Sequence, residues 1–437
     1  MNHRSPRRAS PVDIVQHESE PESTRGPLAV VKSLGPGLIS GASDNDPTTV
    51  ATLAVIGAAT VYRLSWLIIV VFFFLAGIQI ISARIGVMAK EGLQQAVRSS
   101  YGRRWGWVLL VSVMMVNVIT IGADLEGGAA ALALLIPLSW QWFVLPFAVA
   151  MLALLIFGSY AGIERILKFV LLVFVAYVAA AIAAHPDWGA VLHATIVPEI
   201  STDHVYVQGG LALLGTTMTS YAYVWETIEE AEESSSESKP RRLRKLGLAQ
   251  ADAGIGMFAA VAIFWFILIA TGATLGVHHE QVHTAQDAAR ALEPAAGPIA
   301  SYLFAAGLLA SAILAVPVLA ASSAYMLAHE LGWRRGLSQP VRVCPSFYGA
   351  LAGMVLIGVG VSLIGISPIR LLYWSGIAGG LGTPISLVFL LKVGRDRRVM
   401  EDHPIGPWLL ALGCLTTASI ALVSLYFLYQ QFGSVFS

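Results

Sequence analysis

Two acids and a proline interrupt an apolar segment near the start of the chain. Asp44, Asp46 and Pro47 lie inside a run of mostly apolar residues that extends over about 34–61. A carboxylate at the centre of a bilayer costs about 2.5–3.5 kcal/mol on insertion scales, and carboxylates that persist there usually serve ions or protons. These residues are therefore the first candidates for a functional site.

The proline predicts a break in a helix at this point. Pro47 has no N–H, so the carbonyl of Ser43 loses its helical donor, and a residue before proline, here Asp46, disfavours helical geometry. Asp46 followed by Pro47 is also a favourable helix start. A carboxylate, a free carbonyl and the Thr49 hydroxyl one turn further on would suit a hard divalent cation. Asp44 either adds a second carboxylate to this site or binds neighbouring backbone. The alternative interpretation of the whole segment is a structural kink without a bound ion.

The composition places these residues in a membrane. Of the 437 residues, 56% are apolar and only 12% are charged, and the mean hydropathy is +0.70, which is too apolar for a water-soluble domain. The formal net charge is zero, so the overall charge says nothing about nucleic acid or acidic partners. The expected partners are the lipid bilayer and a small ion, and no nucleic acid is expected. No nucleophile–base pair or nucleotide-binding loop is evident, which predicts a protein that is not an enzyme and has no cofactor.

Eleven apolar runs are long enough to cross a bilayer, which requires roughly 17–25 residues. They predict an all-α polytopic membrane protein with eleven transmembrane helices, called here spans 1 to 11. The spans cover about 34–61, 64–88, 106–136, 140–158, 163–184, 206–230, 247–277, 297–328, 345–365, 368–392 and 405–430. The polar residues 1–30 predict a disordered cytosolic tail, and residues 31–437 are expected to form a single transmembrane domain.

The positive charges of the loops indicate an orientation, because Lys and Arg collect on the cytosolic side of membrane proteins. With the N-terminus inside, all but three of the 27 Lys and Arg residues fall in the tail or in inner loops. Only Arg63, Arg290 and Arg370 fall in outer loops. This pattern predicts a multi-pass protein of the plasma (inner) membrane with a cytosolic N-terminus and the C-terminus outside.

Ten of the eleven spans can form two units of five. Because five is odd, a second unit of the same design enters the membrane from the opposite side, which gives the inverted repeat of many secondary transporters. The repeats would cover about 31–190 and 200–393, with an extra helix at 405–430. Span 6 is then equivalent to span 1, and the glycines and hydroxyl residues at 209–221 predict a second break. The alternative is that these small residues only pack against neighbouring helices.

Short motifs along the chain resemble the Nramp family of divalent-metal transporters. Gly35-Pro36-Gly37 stands at the family's distance before Asp46-Pro47, and the segments 122–125, 215–217 and 307–311 follow in the family's order. The resemblance covers most of the chain from about residue 31 onward. It implies a LeuT-like 5+5 inverted repeat with broken helices 1 and 6, and transport of a divalent metal cation.

The resemblance also implies a set of metal ligands. Asp46 matches the family's helix 1 aspartate and the Ser43 carbonyl its backbone ligand, while Thr49 stands where the family has asparagine. In span 6 the family's ligand carbonyl falls on Thr216, and its metal-binding methionine falls on Thr219. The expected metal site therefore contains Asp46, Ser43, Thr49, Thr216, Thr219 and Asp44.

The change at position 219 bears on the choice of ion. A thioether favours later transition metals, so a hydroxyl in its place favours Mn²⁺ or Mg²⁺ over Fe²⁺. Met218 lies one residue away, and a shift of the alignment would restore a sulfur ligand. The alternative function is a cation-coupled symporter of a small organic solute on the same scaffold.

A proton route on spans 3 and 6 is also implied by the resemblance. Asp124 matches a family acid, the acid that follows one turn later falls on Gly127 with Glu126 displaced by one residue, and Tyr221 replaces the family's histidine. Tyrosine titrates near ~10 and is a poor substitute for a group that titrates near neutrality. Asp124, Glu126 and Tyr221 are the proton-pathway candidates, and the sequence leaves proton symport and uniport open.

Overall fold

The chain folds into a bundle of α-helices. The computed structural model describes residues 45–157, 175–234, 239–337 and 339–436, and every regular element within these ranges is a helix. The predicted cytosolic tail, the first half of span 1 and the first part of span 5 lie outside the described residues. The prediction of an all-α protein is confirmed for the described ranges.

The helices are numbered here in chain order. They are α1 (Pro47–Thr60), α2 (Ser65–Ala89), α3 (Leu93–Tyr101), α4 (Arg103–Leu135), α5 (Gln141–Phe157), α6 (Trp188–Ile196), α7 (His204–Thr217), α8 (Ser220–Ser234), α9 (Lys239–Thr271), α10 (Ala285–Ala289), α11 (Glu293–Ala296), α12 (Ala300–Leu331), α13 (Pro345–Ser362), α14 (Pro368–Arg395), α15 (Arg397–Met400) and α16 (Pro407–Phe436). A π-helical turn, Gly272–Gly276, extends α9, and residues 175–183 are also helical.

Many of these helices are long and apolar enough to cross a membrane. By length and composition, seven segments of the described chain qualify, namely Ser65–Ala89, Arg103–Leu135, Gly254–Gly276, Ala285–Leu331, Pro345–Ser362, Pro368–Arg395 and Pro407–Phe432. The helices α1 and α5 are shorter and apolar, and span 6 is divided between α7 and α8. The chain is thus a multi-pass membrane protein, and spans 2, 3, 4, 9 and 10 coincide with single helices to within a few residues.

Prolines mark where several helices begin. Pro47, Pro345 and Pro368 each occupy the first turn of a helix. Proline is well suited to this position because its fixed φ is already helical and the first amide has no intrahelical acceptor. The start of α1 is therefore set locally, by the same proline that the sequence analysis singled out.

The helix α4 packs against α12, α13 and α14, and carries the acids of span 3. Its contact with α13 depends on small residues. A Cβ atom on Gly122 would lie 2.7 Å from the side chain of Val361, and one on Gly358 would lie 2.5 Å from that of Ile121. Such residues allow helices to approach closely in a membrane, where no hydrophobic force drives them together.

The last helix, α16, lies at the edge of the bundle. Only 22% of its most apolar 18-residue stretch is buried, compared with 67% of the equivalent stretch in the segment that contains α12. Leu422 and Tyr429 on α16 are 67% and 72% exposed, as expected for side chains that face lipid. The candidate site described next is built without α16.

Candidate functional site

Asp46 begins α1 as its N-cap. Its backbone is extended, with φ −69° and ψ 165°, and its Oδ1 accepts a hydrogen bond of 2.7 Å from the Thr49 amide. Pro47 follows at the first helical position. The predicted helix start at Asp46 is confirmed. Interactions within four residues of sequence hold the carboxylate at the start of α1.

A second break separates α7 from α8. The residues between them, Met218 and Thr219, are not helical. The Thr219 hydroxyl donates to the Thr216 carbonyl over 2.8 Å, and the Met218 carbonyl accepts from the Thr383 hydroxyl of α14 over 3.0 Å. Of the two interpretations of span 6, the interrupted helix is therefore correct, and side-chain hydroxyls satisfy the carbonyls that the break exposes.

The start of α1 and the break in span 6 meet inside the protein. The Thr49 and Thr216 hydroxyls lie 3.0 Å apart, and the Tyr221 hydroxyl donates to Oδ2 of Asp46 over 3.2 Å. Asp46, Thr49, Thr216, Thr219 and Tyr221 are each 3% exposed or less. Five of the residues predicted for the metal site or the proton route are thus brought together in one buried cluster.

The hydroxyl of Thr48 joins this cluster to α4. It donates to Oδ1 of Asp124 over 2.9 Å, and Asp124 is fully buried. Oδ2 of Asp124 has no hydrogen-bond partner among the described residues. The sequence analysis did not name Thr48, although it stands next to Thr49 at the start of a buried helix, where adjacent side chains point in directions about 100° apart.

Glu126 is also fully buried, and neither of its carboxylate oxygens has a partner among the described residues. It stands two residues after Asp124 on α4, so the two side chains leave the helix in nearly opposite directions. The structure therefore brings Asp124 to the cluster through Thr48, whereas no hydrogen bond among the described residues joins the Glu126 carboxylate to the cluster.

A glycine on α14 makes room for the cluster. This glycine is Gly376. A Cβ atom there would lie 3.1 Å from the Ala212 carbonyl, 3.2 Å from the Thr52 hydroxyl and 3.4 Å from Thr216. The Thr52 hydroxyl is buried without a partner in the described part of the chain, and sequence reasoning did not identify it. Two predicted ligands, the Ser43 carbonyl and Asp44, lie outside the described residues.

The chemistry of the cluster is that of oxygen ligands. No three His, Cys, Asp or Glu side chains lie close enough to hold a metal within the described ranges, so Asp46 is accompanied by hydroxyls and carbonyls. Each oxygen of Asp46 already accepts one hydrogen bond. Because a carboxylate offers about four lone-pair sites, each oxygen retains one for a cation. The start of one helix and the interruption of span 6 meet at a buried carboxylate in an apolar bundle, and binding sites of this kind are typical of membrane transporters with broken helices.

Comparison with known proteins identifies the family. The sequence profile described as "Natural resistance-associated macrophage protein-like", or Nramp, matches residues 37–430. The chain therefore belongs to the Nramp family, as its motifs predicted. It is 28% identical over 422 residues to the divalent metal cation transporter MntH of Deinococcus radiodurans, an alignment that covers 94% of this chain and 92% of that protein.

Solved structures show the same fold. The manganese transporter of Eremococcus coleocola matches with a TM-score of 0.72 at 20% identity, covering 95% of this chain and 90% of that one. The transporter MhsT in complex with L-phenylalanine matches with a TM-score of 0.59 at 18% identity, covering 90% and 98%. Nramp proteins are transporters and not enzymes, which agrees with the prediction from the sequence.

Proposed function

We propose that this protein is a secondary transporter that moves a divalent metal cation across the membrane. The observation that carries the proposal is the Asp46 carboxylate, buried where the start of α1 meets the break in span 6. Family membership supports it, because the relatives compared above are a divalent metal cation transporter and a manganese transporter. The metal is the transported substrate, and the protein needs no cofactor.

We infer that the ion is Mn²⁺ or Mg²⁺ rather than Fe²⁺. The proposed ligands are oxygen atoms of Asp46, Thr49, Thr216 and Thr219, with the Ser43 carbonyl and Asp44 completing the set. Hydroxyl and carboxylate oxygens suit hard cations. Hydroxyls are weak ligands, and Mg²⁺ usually keeps several of its waters. A partly hydrated ion is therefore the species that this oxygen-only site fits best.

We propose proton symport as the mode of coupling. Asp124 is joined to the cluster by Thr48, and the Tyr221 hydroxyl donates directly to Asp46. A cation arriving at Asp46 would raise the electrostatic potential at both acids, which favours release of a proton from Asp124. For symport, this proton leaves on the side to which the metal is delivered. Glu126 is a second proton carrier in this scheme, although it contacts the cluster through none of the described hydrogen bonds. Uniport is the competing outcome.

The proposed architecture has eleven spans in a 5+5 inverted repeat, with repeats at about 31–190 and 200–393. The helix start at Asp46 and the break between α7 and α8 support this arrangement, because such a repeat would make spans 1 and 6 equivalent. The proposed location is the plasma (inner) membrane, with the N-terminus cytosolic and the C-terminus outside. Exclusion of most Lys and Arg residues from the outer loops supports this orientation.

An organic solute is the alternative substrate, since MhsT was solved with L-phenylalanine. A buried carboxylate at the break repels the carboxylate of an amino acid, and carriers of such solutes direct amide donors at that group. Asp46 instead favours a cation.

Uptake into proteoliposomes tests the proposal. Mg²⁺, Mn²⁺, Fe²⁺ and Ca²⁺ are measured in competition, with and without an inward proton gradient, for the wild type and for Asp46→Asn. The asparagine is isosteric and still accepts the Thr49 amide, so the helix start is preserved while the charge is lost. We expect saturable uptake of Mn²⁺ or Mg²⁺, stimulated by the gradient and abolished in Asp46→Asn.

Three results would count against parts of the proposal. Metal-independent flux of a solute would contradict metal transport. Equal uptake with and without the gradient would replace symport by uniport. Normal uptake by Asp46→Asn would remove this carboxylate from the site.

A further inference from the structure

Basic and aromatic side chains from two distant parts of the chain meet at one end of α4 and α14. Nζ of Lys392 lies 5.1 Å from the centre of the Tyr101 ring and 5.8 Å from that of Trp105. A cation within about 6 Å of an aromatic ring is attracted to its face. Lys392 has no carboxylate within ion-pair distance in the described part of the chain. Its charge is therefore held in place by rings and is left without an acidic partner.

Other exposed cations stand within a few residues of Lys392 or of its two aromatic partners in the sequence, and Asp396 does not neutralise them. Asp396 accepts from Nη2 of Arg398 over 2.9 Å and from the Tyr101 hydroxyl over 3.2 Å. The hydrogen bond from Arg398 holds the pKa of Asp396 below its usual range, so this acid stays charged and paired with that arginine. The cations that remain without an ion pair among the described residues are Arg103, Arg104, Lys392, Arg395 and Arg397.

An apolar strip runs along the two helices from this basic cluster. The helices contact each other where the Trp105 ring packs against Phe389, at 5.8 Å between centres, and where Gly382 approaches Val116. Beside this contact the exposed side chains are apolar, namely Val108 (43%), Val111 (50%), Met115 (65%), Ile385 (44%) and Val388 (46%).

The length of the strip fits one leaflet of a bilayer. From Trp105 to Met115 the helix rises about 15 Å, at about 1.5 Å per residue. This is half of the roughly 30 Å hydrocarbon core, the depth that one acyl chain occupies. Trp105, half exposed at the junction of strip and cluster, is the residue type that lies at the level of the headgroups.

We propose that this surface is a binding site for an anionic phospholipid. The phosphate lies against Lys392 and Arg104, and an acyl chain follows the strip between α4 and α14. The cations without acidic partners attract the negative headgroup. The strip contacts the acyl chain, which a free anion does not have. The site is separate from the Asp46 cluster and does not depend on the proposed function.

Native mass spectrometry of the full-length purified protein tests the proposal. The protein is incubated with dioleoyl phosphatidylglycerol or with dioleoyl phosphatidylcholine, which differ only in the headgroup. We expect phosphatidylglycerol to be retained several-fold more than phosphatidylcholine. The preference should be lost in the double variant Lys392→Gln, Arg104→Gln and kept in Lys392→Arg, Arg104→Lys, which preserves both charges.

A matched control removes two exposed arginines elsewhere on the predicted inner side. The variant Arg334→Gln, Arg342→Gln carries the same loss of charge, and neither residue forms an ion pair among the described residues. It should retain phosphatidylglycerol like the wild type. Equal loss in both double variants, no preference for phosphatidylglycerol in the wild type, or its displacement by inorganic phosphate would each overturn the proposal.

Discussion

The Asp46 carboxylate has two roles at once. One oxygen caps α1 by accepting from the Thr49 amide, and the other accepts from the Tyr221 hydroxyl. The first contact is local and fixes the carboxylate at the break. The second joins α1 to α8 and lies beside the place where we propose the ion binds. The tyrosine hydroxyl thereby orients the carboxylate from the side opposite to the helix cap.

We propose that Thr219 influences which metals the cluster accepts. Its hydroxyl donates to the Thr216 carbonyl, and this bond occupies one lone pair of a proposed ligand. Thr219→Met removes that donor and adds a thioether. We expect Cd²⁺, a soft cation, to compete with transport at least about tenfold better in the variant, equivalent to about 1.4 kcal/mol. Inhibition of Mn²⁺ uptake by Cd²⁺ in proteoliposomes measures the effect.

Thr219→Leu is the matched control for this substitution. Leucine has nearly the volume of methionine and lacks sulfur, so it should disturb packing similarly without raising Cd²⁺ affinity. If both variants respond alike, packing explains the change, and the metal-binding methionine of the family corresponds to another position such as Met218.

At the scale of elements, the site depends on the contact between α7 and α14. A Cβ atom on Gly215 would lie 1.9 Å from the Gly376 carbonyl oxygen and 2.2 Å from the Gly380 amide nitrogen. Both neighbours are backbone atoms, which can move only if the helices separate. Glycines in two helices thus bring the hydroxyls of Thr216 and Thr383 to the break between α7 and α8.

Gly215→Ala should therefore separate α7 from α14. Overpacking of this kind costs typically about 1–3 kcal/mol, so we expect a lower melting temperature in detergent and loss of uptake. Gly360→Ala is the control, because Gly360 is at an exposed position of α13 and a Cβ atom there would meet nothing within 4 Å. It should leave the melting temperature unchanged or raise it, because glycine is unfavourable by roughly 0.5–1 kcal/mol inside a helix. Equal melting temperatures for the two variants would contradict the close contact.

At the scale of the whole molecule, the basic residues of the loops predict how the protein is oriented in the membrane. The distribution of Lys and Arg predicts that residues near 99 face the cytosol and residues near 202 face outward. Cys344 and Cys414 are first replaced by serine, so that a single cysteine can be added. In intact cells a membrane-impermeant maleimide should label Thr202→Cys, whereas Ser99→Cys should be labelled only after permeabilisation. Both positions are exposed. The reverse pattern would invert the proposed topology.

The sequence by itself determined the features that depend on neighbours along the chain. Apolar run length predicted the membrane spans, and proline after an acid predicted the start of α1, because capping needs only the residues from Asp46 to Thr49. Motifs in a fixed order predicted the family. The break in span 6 was left open between two interpretations, since glycines and threonines serve both breaks and helix packing.

Only the tertiary structure decided which side chains meet. Tyr221 and Asp46 are separated by 175 positions, Thr49 and Thr216 by 167, and Thr48 and Asp124 by 76. Such contacts depend on the rotation and depth of each helix, which packing against several neighbours sets together. Tyr221 was therefore predicted as a proton-pathway candidate but not as the donor to Asp46. The link from Thr48 to Asp124 was not predicted, because sequence spacing fixes a face of one helix and not its partner on another.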